Sequence, residues 1–261
     1  MTSLRRGRLS QRLVAGFLLG GQVVMFLLAG KINRRNTLEQ MAVVGIDSLP
    51  VTLISAVSVG MFTIIQVGRE LAILNEGETL GGVLALTLTR ELAPMFTGVV
   101  LAGRDGAAFT AELGTMQITQ QIEALYMLRT NPIDYLVVPR VVACGLMLPV
   151  VCILFLITGM IGGGIMAANL YHVSPTEFFE SARKVLTGWD ICCAMIKSVC
   201  FGILIAVISC NWGLTTTGGT KGIGQSTTGA VVAAMLAIFV SNFFLSWLLF
   251  SDSNSVMLKE F

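Results

Sequence analysis

Charge is scarce in this sequence. Only 12% of its 261 residues are charged and 54% are hydrophobic, with a mean hydropathy of +0.81, whereas an ordinary soluble domain carries about 25% charge. That scarcity excludes a water-soluble fold as the main reading. The net charge is +2, and no basic stripe interleaved with aromatics is present, so no nucleic-acid partner is expected. Histidine occurs once, as His172, and one histidine without partners makes neither a metal site nor a catalytic dyad. The six cysteines, Cys144, Cys152, Cys192, Cys193, Cys200 and Cys210, all fall in apolar stretches without a CxxC pair, and read as small buried hydrophobes. No nucleophile with a positioned base and no paired acids of catalytic spacing stand out, so no catalytic residue is assigned and the chain is not read as an enzyme. The segment GGTKGIG around Lys221 is not a phosphate loop, because a Walker A lysine is followed by Ser or Thr and Lys221 is followed by Gly222. Any ATP hydrolysis must come from another polypeptide.

Apolar runs are what the sequence has instead. Candidate spanning helices cover residues 46–67, 80–103, 141–168, 191–212 and 229–250, each near the about 20 residues that cross the hydrocarbon core. A further apolar run, 13–30, is flanked by Arg5, Arg6, Arg8 and Arg12 before it and Lys31, Arg34 and Arg35 after it. Crossing would strand one basic cluster outside, so this run is expected to be an interfacial or re-entrant helix at the cytoplasmic face. It lacks the small-residue cleavage site and one-sided charge of a signal peptide. Five crossings from an inside N-terminus leave Arg104, Arg129, Arg140 and Lys221 inside and Arg69, Arg183, Lys184 and Lys259 outside, with the C-terminus outside. The expected fold is therefore an all-α polytopic membrane protein: an N-terminal interfacial helix and five transmembrane helices in one domain, 1–261.

The largest cytoplasmic connection joins the second and third spans, residues 104–140. It places Ile118, Ile122 and Leu125 at i, i+4, i+7, which predicts an amphipathic helix within about 107–130. Asn131–Pro132 should end it, and Pro139 marks the start of the next span. Periodicity alone leaves two readings open: a docking surface for a cytoplasmic protein, or a helix lying on the bilayer.

Three stretches, 88–94 (LTRELAP), 102–116 (AGRDGAAFTAELGTM) and 131–140 (NPIDYLVVPR), with 196–198 (IKS) and 212–228 (WGLTTTGGTKGIGQSTT), resemble the MlaE/YrbE family of ABC permeases, including cyanobacterial and chloroplast envelope members. The similarity covers nearly the whole chain. It implies a homodimeric permease with an interfacial helix and five spans per chain. It further implies a cytoplasmic ABC ATPase, carrying the ATP and Mg, that docks near 112–128 through a coupling helix. An extracytoplasmic MCE-domain lipid-binding protein is the third implied component. No cofactor is expected on this chain.

Arg90 and Glu91 lie mid-way along the second span and Lys197 lies in the fourth, where an unpaired charge costs about 2.5–3.5 kcal/mol on insertion scales. Neighbours on a helix point about 100° apart, so Arg90 and Glu91 cannot satisfy each other. Glu91 and Lys197 are expected to face a water-accessible cavity or the dimer interface where a lipid headgroup could bind, with Arg90 also placed at that lipid cavity and an interhelical network that only fixes packing as the other reading. Residues 59–74, with Phe62, Ile65, Leu71 and Leu74, are the candidate acyl-chain wall, unless that face simply meets bulk lipid. The candidate ATPase-coupling residues are Glu112, Gly114, Ile122, Glu123 and Leu125. The GxxxG pairs Gly16/Gly20 and Gly159/Gly163 suit either a dimer interface or packing within one subunit. An ion-coupled secondary transporter and a non-transporting scaffold are the rival functions, though no internal repeat favours the former. The resemblance, and a short, Ser-poor leader, point to a bacterial inner membrane rather than a plastid inner envelope.

Overall fold

A computed structural model describes residues 34–73 and 79–250, with Gly16, Gly20 and Gly21. Among the described residues, five helices are long and apolar enough to span a membrane: Arg34–Leu71, Leu80–Ile118, Ile133–Tyr171, Gly188–Leu214 and Gly219–Phe250. They are called the first to fifth spans below. Among the described residues there is no strand. The interfacial helix expected over 13–30 lies outside the described residues, apart from the three glycines, which are helical.

The helices outrun the apolar runs. The fifth begins at Gly219, well before residue 229, through a Gly- and Thr-rich segment. There Thr227 and Thr228 turn their hydroxyls back onto the Ile223 and Gly224 carbonyls, at 2.9 and 3.1 Å, so these residues continue a helix without apolar side chains. Gly218 and Gly219, at φ 96° and 67°, make the tight turn before it. Lys221 therefore sits in the first turn of the span and not in a loop. The second span continues to Ile118, and the chain breaks at Gln120, whose φ of 59° is left-handed. A separate short helix, Gln121–Met127, follows. The single amphipathic helix expected through Ile118, Ile122 and Leu125 is thus split between two helices.

Two spans widen where the quoted motifs fall. Single π-helical turns occupy Leu88–Leu92, Ala102–Gly106 and Ile133–Val137, one in each of the stretches LTRELAP, AGRDG and NPIDYLVVPR. Such turns skip a helical hydrogen bond and mark functional or strained positions.

The chain folds into two compact units. One comprises the described parts of Met1–Ser48, with Gly98–Met147 and Cys200–Ile238; the other comprises Leu49–Thr97, Leu148–Val199 and the described part of Phe239–Phe261. In the second unit the core is Ala56, Ile64, Leu80, Leu84, Leu88, Ala93, Cys152, Phe155, Ala167 and Phe178. The first and third spans meet there backbone to backbone, since a methyl at Gly60 would run into the Gly159 carbonyl oxygen, and Gly163 likewise leaves room for the Leu84 side chain of the second span. A short helix, Pro175–Val185, is capped by Ser174 and Glu177 and buries Phe178 against Gly81. In the first unit Gly16 and Gly20 face Asn211 and Val207 of the fourth span. Both GxxxG pairs therefore serve packing within one subunit.

Candidate functional site

The second unit gathers four charges, and proline chemistry explains where they meet. Pro94 has no N–H, so the carbonyl of Arg90, four residues earlier, loses its helical donor. Inside a membrane such a group needs a partner from the protein. Lys197 supplies it, donating from Nζ to the Arg90 carbonyl at 2.6 Å. The same ammonium donates to Glu91 Oε1 at 3.0 Å and to Ser246 Oγ at 2.7 Å. Three N–H groups thus meet three acceptors, and the Lys197 side chain is 0% exposed.

Glu91 is equally occupied. Ser246 Oγ donates to Oε1 at 2.7 Å and Asn242 Nδ2 donates to Oε2 at 2.7 Å. Asn242 and Ser246 lie four residues apart, one above the other on the fifth span. Arg90 turns elsewhere: its Nε donates to Asp190 Oδ1 at 2.7 Å, and its guanidinium carbon sits 4.9 Å from the centre of the Phe250 ring. Its side chain is 35% exposed against 1% for Asp190. Among the described residues, no hydrogen bond or ion pair occupies its Nη groups. The adjacent Arg90 and Glu91 point to different partners, as their helical offset requires.

The structure brings together three of the residues expected around a lipid cavity, Arg90, Glu91 and Lys197, and gives them unequal parts. Lys197 is sealed inside, and Arg90 keeps an open edge. Leu71 packs instead on the apolar core of this unit, and Leu74 lies outside the described residues. Of the candidate wall, Phe62 and Ile65 are exposed while Val59 packs on the core. Asp190, Asn242 and Ser246 escaped sequence reasoning. Asp190 stands just before the apolar run 191–212, yet it precedes Lys197 by seven residues, two turns on one helix face, and that spacing was the available signal.

The first unit holds a different arrangement. Arg140 donates from Nη2 to Glu112 Oε2 at 2.7 Å and from Nη1 to the Leu136 carbonyl at 3.3 Å, with its guanidinium carbon 5.4 Å from the centre of the Phe109 ring. Its side chain is 7% exposed, and that of Glu112 is 57% exposed. Asp105, also buried, accepts from Arg104 Nη1 at 3.0 Å. Two of the expected coupling residues turn inward. Gly114 is buried against Thr216, and Ile122 is only 5% exposed because it anchors the short helix to this unit. Leu125 is half-buried, and Glu112 and Glu123 are exposed. The outward surface of that helix and the turn after it is Tyr126, Met127 and Leu128, the last two 86% and 73% exposed. Sequence periodicity missed them because it selects the face a helix buries. Among the described residues, no cluster of His, Cys, Asp and Glu could hold a metal ion.

Comparison with known proteins agrees with this architecture. Residues 37–248 match the family described as Permease MlaE. The chain is 57% identical over 248 residues to the probable ABC transporter permease protein slr1045 of Synechocystis sp., covering 95% of this chain and 94% of that one. It is 47% identical over 237 residues to the protein TRIGALACTOSYLDIACYLGLYCEROL 1, chloroplastic, of Arabidopsis thaliana, covering 91% and 68%. It is 41% identical over 225 residues to the probable ABC transporter permease protein ycf63 of Pyropia yezoensis, covering 86% of each. This multi-pass membrane protein belongs to the MlaE family of ABC transporter permeases.

Proposed function

We propose that the chain is the membrane-spanning subunit of an ABC transporter that moves lipids, phospholipid or a related glycerolipid, between the inner membrane and an extracytoplasmic MCE-type lipid-binding partner. The observation that carries this reading is the open guanidinium edge of Arg90, held within an otherwise apolar span by a saturated set of charges. Ionisable groups within membrane spans mark substrate paths, and a cation among apolar surface suits an amphiphile. The Arabidopsis relative, named for a galactolipid, supports a lipid substrate. ATP and Mg belong to a separate ATPase, for which exposed Glu112, Glu123, Tyr126, Met127 and Leu128 form the docking surface. Two copies of the chain complete the path. The fifth span supports this, because only 11% of its most apolar window is buried within one chain, against 33% to 44% for the others. A bacterial inner membrane is the proposed location.

Mass spectrometry of the complex purified in mild detergent from its native membrane tests the proposal. A co-purifying ATPase, an MCE-type protein and a bound diacyl lipid are expected. A chain that purifies alone yet moves solute in vesicles would sink it in favour of a secondary transporter.

A further inference from the structure

We infer that Asp190, fixed by Thr187, is a positioning residue that grips Arg90 by its Nε edge and so presents the two Nη groups as the oxyanion-binding face of this unit. The inference rests on the lipid-transport reading and assigns the acidic partner that makes Arg90 competent in it.

The grip is built from the start of the fourth span. Thr187 precedes the helix, and the Asp190 carboxylate reaches back to it: Oδ2 accepts from the Thr187 backbone N–H at 3.1 Å and from its hydroxyl at 2.7 Å. The Asp190 N–H in turn donates to the Thr187 carbonyl at 3.1 Å. The carboxylate thus closes back on the residue before the helix, one half of a capping box, and its two bonds to Thr187 fix its rotamer. Oδ1 then has one direction left, and Arg90 Nε fills it at 2.7 Å. The carboxylate is 1% exposed, so it offers nothing to a ligand itself.

A guanidinium is planar, and holding Nε fixes where both terminal nitrogens point. The Phe250 ring limits rotation of that plane from one side. The Nη edge then carries four N–H groups in the fork geometry that binds a phosphate or carboxylate through two oxygens. The other candidates for anion contact in the cluster are excluded by their own bonds: Lys197 has spent all three N–H groups and is fully buried. The charges of Arg90, Lys197, Glu91 and Asp190 cancel. Selectivity for an anion therefore depends on the direction of one guanidinium edge and not on a surplus of positive charge. The shared chemistry is an oxyanion, and its position in a membrane span favours a lipid phosphodiester over free phosphate.

The full transporter complex in proteoliposomes tests this, with ATP-driven transfer measured separately for phosphatidylglycerol and for monogalactosyldiacylglycerol. Asp190→Asn is expected to raise the half-saturating phosphatidylglycerol concentration about tenfold, the size of one charge-assisted bond, and to leave that of the neutral galactolipid within about twofold. It should add nothing further in an Arg90→Ala background, since two residues acting through one contact are not additive. Thr187→Val, which keeps both charges, should shift phosphatidylglycerol in the same direction by less, and it serves as the test should Asp190→Asn fail to assemble. Equal losses for both lipids, or effects of Asp190→Asn and Arg90→Ala that multiply, would overturn the inference and assign Asp190 to packing alone. Inhibition by inorganic phosphate that disappears in Arg90→Ala would overturn the choice of a lipid headgroup. A complex that moves neither lipid before any substitution would instead sink the transport reading.

Discussion

The two units each pair a buried cation with a carboxylate, and they treat that pair in opposite ways. In one, Lys197 is sealed, every N–H it owns is used, and Glu91 has both oxygens occupied. In the other, Arg140 is buried with an unpartnered Nε among the described residues, and Glu112 stands mostly in the open on a single bond. The first is a closed circuit around a fully buried cation, in which losing an acceptor strands Lys197 where nothing can solvate it, while the Glu91 side chain is 40% exposed. The second is a latch whose acid can find water when released.

The sharpest way to break the comparison is Lys197→Met. It leaves the Arg90 carbonyl without a donor and the Glu91 carboxylate, 40% exposed, without its cation, and about 3 kcal/mol of stability, the low end for a broken buried pair, should disappear. The drop is read as a lowered midpoint of thermal unfolding in detergent, and Glu91→Gln on top should recover part of it. Should the single variant match wild type, the circuit is not closed. Arg140→Met should cost less, about 1–3 kcal/mol, since Glu112 escapes to solvent and only the Leu136 carbonyl and the Phe109 ring lose a neighbour. Chemical denaturation of the same preparations ranks the two, and an Arg140→Met loss exceeding that of Lys197→Met would reverse the assignment of circuit and latch. Ser246→Ala removes one hydroxyl from the closed circuit while Asn242 and Lys197 still hold Glu91, and about 1 kcal/mol is expected by the same measurement. Smallest of all, Glu112→Gln should change stability by less than about 1 kcal/mol, because the amide oxygen can still accept from buried Arg140 and the charge removed is mostly solvated. Its effect should instead surface in ATP turnover by the docked partner, where an unchanged rate would remove Glu112 from the coupling surface.

The residues that a sequence reader could find in the closed circuit were those whose presence is anomalous. Arg90, Glu91 and Lys197 stand out because charge in an apolar run demands an account. Asn242 and Ser246 did not, because uncharged polar residues are ordinary in a span, and Asp190 sat one position outside the run that defined the span. The short helix shows the reverse failure. Apolar periodicity singled out Ile122, which the fold buries, and passed over Tyr126, Met127 and Leu128, whose exposure follows from the break at Gln120. Periodicity reports a face that is buried; it says nothing about a face left for another protein.

Composition and run length by themselves determined the five helices that are long and apolar enough to cross a membrane among the described residues, because about 30 Å of hydrocarbon sets how many apolar residues a helix needs and few other solutions satisfy the backbone. The motif stretches determined the family, and Pro94 determined that the Arg90 carbonyl would need a donor from elsewhere. Which donor was decided only by tertiary structure, which placed Lys197 against the residue before Glu91 and Asp190 against Arg90 Nε. Those partners lie about a hundred residues apart in the chain, and no local pattern encodes a distance of that kind. It emerges only when the second, fourth and fifth spans pack side by side and bring their polar groups to one level.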